Sequence, residues 1–251
     1  MRMTLDHLYQ NRTLIFGHRG ASAYAPMNTL PAFALAEEQG ADGIELDIHL
    51  SRDGHLIVMH NSTIEETTDG SGAIRDMTLA QLKEMDAGGW FSERFTRTPI
   101  PTLDEVFASV RKETIINVEI KPETIRTEGI ERVLADKIAH FGLQERIIVS
   151  SFNPLPLRRF RRLMPNVAIA RLWDSKTPWY HEFLMFGMHY EAQHPRHTLL
   201  EEQAVARLHR KGYRVNTWTV NDAMRAAVLR DLGVDGIVTD LPDVIRHALN
   251  G

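Results

Sequence analysis

Short apolar runs rich in β-branched residues alternate with amphipathic stretches along most of this 251-residue chain. The apolar runs predict strands at Leu14–His18, Gly43–His49, Leu56–His60, Ile115–Lys121, Ile147–Ser150, Val167–Leu172, Met188–Ala192, Arg214–Thr219 and Gly236–Thr239. The amphipathic stretches predict helices at Thr29–Gln39, Leu79–Met85, Leu103–Val110, Ile130–Phe141, Pro154–Leu163, Pro178–Phe186, Leu199–Lys211, Asp222–Leu232 and Pro242–Leu249. Such repeated alternation favours an α/β fold of the (β/α)8 TIM-barrel type. An open doubly wound sheet is less favoured, because no Gly-rich turn follows the first strand.

One segment, from about residue 61 to 101, breaks the alternation. It is polar and rich in glycine, with one short helix predicted within it. We expect it to be an insertion after the strand that ends at His60, within a single barrel domain spanning residues 1–251. Long loops at the C-terminal ends of barrel strands usually shape the substrate site, so the insertion is expected to border that site.

The composition excludes several classes of function. Hydrophobic residues make up 43% and charged residues 25% of the chain, as in ordinary globular proteins. The net charge of −4 gives no sign of a nucleic-acid surface. With no cysteine, disulfides, thiolate metal sites and a cysteine nucleophile are excluded. The segment Met1–Thr13 lacks the apolar core of a signal peptide, and no apolar run reaches a membrane span, so we expect a cytoplasmic protein without membrane insertion.

Three carboxylates lie on two of the predicted strands. Glu45 and Asp47 are two residues apart and therefore share a face of their strand, and Glu119 lies on the next strand but one. Surface acids on an edge strand are the alternative, but the apolar residues flanking Glu45 and Asp47 indicate that their polar face is enclosed. Converging carboxylates predict a site for a hard divalent cation, Mg²⁺ or Ca²⁺, with Mn²⁺ also suitable.

Histidines and cations accompany the acids. His18 and His60 end two predicted strands and form a candidate acid/base pair, for which a bell-shaped pH profile in the histidine range is expected. Arg19 and Lys121 supply positive charge for an anionic substrate. Three carboxylates, one divalent cation and these two side chains sum to one positive charge, which matches a singly charged phosphodiester. Without the cation the site is negative and would repel that substrate.

These residues resemble the glycerophosphodiester phosphodiesterase family, bacterial cytosolic type, over nearly the whole chain. The pieces that carry the resemblance are His18-Arg19-Gly20, Asn28-Thr29, Glu45-Leu46-Asp47, His60, Glu119-Ile120-Lys121, Trp218–Asn221 and Asp235–Pro242. Each is weak alone, and their order makes the set specific. The resemblance implies a metal-dependent barrel that cleaves small-molecule glycerophosphodiesters, such as glycerophosphocholine and glycerophosphoethanolamine, to sn-glycerol 3-phosphate and an alcohol.

The resemblance also implies a role for each matching residue. The metal ligands would be Glu45, Asp47 and Glu119. The general base would be His18 and the general acid His60. The phosphate contacts would be Arg19 and Lys121. Trp218 ends a strand and is expected to form the floor of the glycerol pocket. The nucleophile is left open between the substrate's own glycerol hydroxyl, which would give a cyclic phosphate, and a water at the metal.

Two departures from the family pattern bear on these roles. Met27 stands where the family commonly has Glu, and Asn61 where it usually has Asp after the histidine. They leave open a non-catalytic barrel that binds glycerophosphodiesters or lipid headgroups. A lysophospholipase D is the enzymatic alternative, with an apolar groove built from the aromatic stretch 173–190 or from 90–95. Asn28 and Asp240 are interpreted as helix N-caps.

Overall fold

The computed structural model describes residues 6–9, 12–121 and 129–250. Its strands are β1 (Leu14–His18), β2 (Gly43–Leu50), β3 (Leu56–Val58), β4 (Ile115–Ile120), β5 (Ile147–Ser151), β6 (Ala168–Trp173), β7 (Ala192–Pro195), β8 (Arg214–Thr217) and β9 (Gly236–Thr239). Its helices are α1 (Asp6–Tyr9), α2 (Leu30–Glu38), α3 (Leu79–Leu82), α4 (Leu103–Ser109), α5 (Ile130–Phe141), α6 (Pro154–Leu163), α7 (Tyr180–Leu184), α8 (Glu202–Arg210), α9 (Ala223–Asp231) and α10 (Pro242–Asn250). None of the helices in these ranges is both long enough and apolar enough to cross a bilayer.

All strands except β3 are parallel and close into a barrel. Around the barrel, β2 is followed by β4, β5, β6, β7, β8 and β9. β1 pairs in parallel with β2 on one side and with β9 on the other, which leaves no open edge between the first and last strands. The predicted (β/α)8 barrel is confirmed, and the open doubly wound sheet is wrong.

The barrel interior is apolar near the N-terminal ends of the strands and polar near their C-terminal ends. Leu14 and Phe16 of β1 join a buried interior cluster with Ile115 of β4. Because alternate residues of a strand share a face, His18 and Glu119 continue the same interior columns toward the C-terminal ends. The alternation that predicted the strands therefore also places the polar side chains above an apolar floor.

The absence of a side chain at Gly43 leaves space for the apolar side chains below the acids. A Cβ atom at Gly43 would lie 2.7 Å from Cδ1 of Phe16, closer than real Cβ contacts. Gly43 shares its face of β2 with Glu45 and Asp47, so the ring of Phe16 fills the space below the two carboxylates.

The segment between β2 and α4 differs from its predicted form. The strand predicted at Leu56–His60 is β3, which ends at Val58 and runs antiparallel to β2, so it is not one of the barrel strands. The chain reverses direction in the turn closed by a hydrogen bond from Ser51 N to His55 O. Beyond β3, Met59 N donates to Asp47 O at 3.1 Å, which holds His60 near the acids of β2.

β7 is also displaced from its predicted position. The apolar run Met188–Ala192 predicted it, whereas the strand is Ala192–Pro195. Tyr190 instead stacks on Tyr213 with ring centroids 4.7 Å apart. The strand itself carries the buried polar side chains Gln193 and His194. Because these residues interrupt the apolar pattern, the pattern does not predict a strand there.

Candidate active site

Three carboxylates from neighbouring strands meet at the C-terminal end of the barrel. β2 and β4 pair in parallel with Asp47 beside Glu119, and Glu45 lies two residues before Asp47. One oxygen from each carboxylate lies within 4.8 Å of the others. All three side chains are buried, with Asp47 only 1% exposed. We call Glu45, Asp47 and Glu119 the acidic triad. Buried carboxylate oxygens at this spacing are suitable ligands for a hard divalent cation.

Two cations and an amide surround the triad. Lys121 Nζ lies 3.1 Å from Asp47 Oδ1 and 2.9 Å from Glu119 Oε1. Arg19 Nε lies 3.4 Å from Asp47 Oδ2. The backbone of Arg19 is in the left-handed region, with φ at 56°. Asn28 Nδ2 donates to Asp47 Oδ2 at 2.9 Å, while Thr29 occupies the N-cap position of α2. The N-cap prediction for Asn28 is therefore wrong: its amide orients a carboxylate of the triad.

The pKa values of the three triad carboxyl groups depart strongly from their ordinary values. Burial raises the pKa of Glu45 well above its usual range, and the charges of Asp47 and Glu119 add to the shift. Burial, opposed by Lys121 and reinforced by Asp47, raises the pKa of Glu119 to about 7. Asp47 is also buried, but Lys121 and Arg19 hold its pKa below the ordinary value. Two cationic side chains beside three carboxylates leave the ionised triad one positive charge short, and a divalent cation would supply that charge.

The raised pKa values predict how stability depends on pH. A carboxyl group whose pKa is higher in the folded state favours the fold at low pH, and this contribution is lost as pH rises from about 4.5 toward 7 for Glu119. A bound cation stabilises the ionised triad and should offset that loss. We therefore expect Mg²⁺ or Ca²⁺ to raise the melting temperature more at pH 8 than at pH 5, measured against chelator at each pH. Equal shifts at both pH values would contradict this assignment.

Each of the two histidines has a hydrogen-bond partner for its Nδ1 atom. His18 Nδ1 lies 2.6 Å from Asp240 Oδ1, and His60 Nδ1 lies 2.6 Å from Asn61 Oδ1. Asp240 follows β9 directly and was interpreted as an N-cap, so sequence reasoning missed this contact. Its position at the C-terminal end of a barrel strand, where the acids also lie, was the available signal.

Asn61 determines which nitrogen of His60 is free. Its Nδ2 atom donates to Glu66, whose carboxylate only accepts, so Asn61 Oδ1 faces His60 and receives its Nδ1 proton. Burial lowers the pKa of His60 to about 4; the nearby charge of Asp47 opposes this shift, and Lys121 adds to it. At neutral pH the ring is uncharged and its Nε2 atom carries a lone pair.

The other residues singled out in the sequence lie close to this site or border it. Trp218 follows β8, where its Nε1 donates to His194 O at 2.8 Å and its ring meets that of Phe152 edge to face. Met27, at the place of the family's Glu, accepts a hydrogen bond from Arg19 Nη1 through its sulfur at 3.3 Å. Both departures from the family pattern therefore keep a contact to a site residue.

Comparison with known proteins identifies the family. The model of the glycerophosphoryl diester phosphodiesterase family matches residues 18–244. A glycerophosphodiester phosphodiesterase of Caldanaerobacter subterraneus is 38% identical over 237 residues, which cover 93% of this chain and 96% of the relative. One from Bacillus altitudinis is 37% identical and covers 92% and 96%. The structure of a phosphodiesterase of Oleispira antarctica, in complex with the product sn-glycerol-3-phosphate, is 29% identical with a TM-score of 0.85, covering 97% of this chain and 99% of that one.

The fold and the site define a phosphodiesterase built on a (β/α)8 barrel. The chain belongs to the glycerophosphoryl diester phosphodiesterase family. The resemblance inferred from the sequence motifs and the prediction of an enzyme of this type are confirmed.

Proposed function

We propose that the protein hydrolyses glycerophosphodiesters such as glycerophosphocholine and glycerophosphoethanolamine to sn-glycerol 3-phosphate and an alcohol, with one divalent cation at the acidic triad. The observation that carries this proposal is the convergence of three buried carboxylates within 4.8 Å. The product bound to the Oleispira antarctica phosphodiesterase supports the choice of substrate. The cytoplasmic location and a role in glycerol and lipid metabolism are predictions from sequence and resemblance.

Substrate binding is assigned to the charges around the triad. A divalent cation there would polarise a phosphoryl oxygen and offset the charge of the carboxylates. Arg19 Nε is buried without a hydrogen-bond acceptor among the described residues, because its contact with Asp47 lacks hydrogen-bonding geometry. A phosphate oxygen is the acceptor that this donor suits. Lys121 adds positive charge, and Trp218 is proposed as the floor of the glycerol pocket.

The proton-transfer roles follow from the partners of the two histidines. His60 is neutral with a free Nε2 atom, so we assign it as the base that takes the proton of the attacking hydroxyl or water. The bond from phosphorus to the alcohol oxygen then breaks, and His18 donates the proton that this oxygen requires. His18 Nδ1 faces the carboxylate of Asp240, whereas His60 Nδ1 faces the uncharged amide of Asn61. This assignment reverses the order expected from the sequence.

The two alternatives receive less support. A lysophospholipase D is expected to use an apolar groove from the stretch 173–190 or from 90–95, whereas the family match and the sn-glycerol-3-phosphate bound to the Oleispira antarctica phosphodiesterase support a water-soluble glycerophosphodiester. Met27 and Asn61 are the residues that would favour a non-catalytic barrel, yet Met27 contacts Arg19 and Asn61 contacts His60.

The reaction is tested by following sn-glycerol 3-phosphate release from glycerophosphocholine with Mg²⁺, Ca²⁺ or Mn²⁺ and with excess chelator. We expect release to stop in chelator and to return with at least one of these cations, because without one the site is negative and nothing polarises the phosphoryl oxygen. Release that is unaffected by chelator would contradict the role of the triad. No release with any cation, from this substrate or from glycerophosphoethanolamine, would contradict the proposed function.

A further inference from the structure

We propose that Asp240 is a positioning residue that holds the His18 ring with its Nδ1 atom engaged and its Nε2 atom free for proton transfer, a role that rests on the function proposed above. Asp240 and His18 lie 222 residues apart in sequence and meet where β9 closes the barrel against β1. Asp240 Oδ1 lies 2.6 Å from His18 Nδ1, a hydrogen-bonding distance.

Asp240 is itself held on all sides. Ser22 Oγ donates to Asp240 Oδ1 at 2.8 Å, and Asn221 Nδ2 donates to Oδ2 at 2.5 Å. The Asn221 amide cannot turn without loss, because its Oδ1 atom accepts from Asp240 N at 2.9 Å and from Thr239 Oγ1 at 3.1 Å. The carboxylate therefore has one orientation, and His18 Nδ1 must be the donor to it. A ring that donates from Nδ1 leaves Nε2 as the atom that exchanges protons with substrate.

The same network predicts what an amide at this position would do. In Asp240→Asn, an Nδ2 group that faced Asn221 would lie against the Nδ2 group of Asn221, and two donors cannot form a hydrogen bond with each other. The favoured orientation instead turns Nδ2 toward His18 and Ser22, because the Ser22 hydroxyl can reverse and accept. His18 Nδ1 would then have to accept and could not hold a proton, whereas a ring that donates from Nε2 to the leaving oxygen while bonded through Nδ1 needs protons on both nitrogens. Loss of this general acid costs roughly 10²- to 10⁴-fold in kcat.

A second substitution should restore the proton on His18 Nδ1. In the double variant Asp240→Asn with Asn221→Asp, the new carboxylate at 221 accepts from the Nδ2 group at 240 and keeps its bonds to Thr239 Oγ1 and the backbone N–H of residue 240. The oxygen of the new amide then faces His18, which can donate from Nδ1 again. The net charge of the protein is unchanged. A purely structural role for Asp240 predicts no such recovery.

The test combines kinetics with ¹⁵N NMR of the histidine rings at pH 8, with a His18→Gln spectrum to assign His18. For D240N we expect a fall of kcat of roughly 100-fold or more with KM and cation affinity within about threefold of wild type, and loss of the proton from His18 Nδ1. The double variant should regain about tenfold in kcat and recover the Nδ1 proton. Asp243→Asn is the matched control, since exposed Asp243 accepts only from Tyr24 in the described residues.

Two results would overturn the proposal: kcat of D240N within about threefold of wild type, or an Nδ1 atom of His18 that stays protonated in that variant. The NMR measurement requires no turnover. If the wild-type protein releases no sn-glycerol 3-phosphate, the proposed function fails, and the position of the Nδ1 proton still decides the role of Asp240.

Discussion

Replacement of Glu45 by glutamine is expected to reduce cation-dependent turnover on the order of 10³-fold or more. The amide removes one charged ligand of the triad, and a cation contributes several kcal/mol of charge stabilisation in phosphoryl transfer, at about 1.4 kcal/mol for each factor of ten. The fold should survive, because burial already raises the pKa of Glu45 in the absence of a cation and glutamine resembles the protonated acid. Calorimetric titration with Mg²⁺ or Ca²⁺, alongside initial rates, would measure both losses.

Glu37→Gln is the matched control for this substitution. Glu37 is also buried, but it accepts from Arg111 N at 2.9 Å and contacts Thr114, outside the acidic triad. This control should lower the melting temperature, because it weakens the hydrogen bonds that a buried carboxylate accepts from Arg111 N and Thr114, and leave cation affinity and kcat near wild type. Unaltered cation affinity in the Glu45 variant would remove Glu45 from the set of ligands.

Replacement of His60 by alanine is expected to lower kcat by roughly 10³-fold with cation binding intact, as for the loss of a general base. At saturating cation, which keeps the triad ionised, wild-type activity should fall as pH falls through the pKa of His60, lowered by burial to about 4, because protonation occupies the Nε2 lone pair. This acid limb lies below the histidine range expected from the sequence. The pH–rate profile of the variant should lack it, and added imidazole should restore part of the rate.

His55→Ala serves as the control, since His55 lies on the exposed turn before β3 and, within the described ranges, its side chain makes no hydrogen bond to a site residue. Its kinetics should match wild type. If the His60 variant kept its acid limb, another group would be the base, and the proposed roles of the two histidines would have to be reassigned.

Sequence patterns predicted much of the fold and of the site because both depend on local alternation. The spacing of Glu45 and Asp47 in an apolar strand placed both carboxylates on one face, and the structure brings Glu119 to them. β3 and β7 were predicted less well. The antiparallel direction of β3 depends on the turn before it, and β7 buries Gln193 and His194, which no apolar pattern reveals.

In β1, β2 and β4 the sequence by itself determined which side chains face the barrel interior, because the two-residue period of a strand is a local property. Only the tertiary structure decided which partner each polar side chain has. Asp240 contacts His18 because β9 pairs with β1. Asn28, predicted as a helix N-cap, instead donates a hydrogen bond to Asp47. A hydrogen bond requires atoms within about 3 Å, a distance that barrel closure sets for residues far apart in the chain.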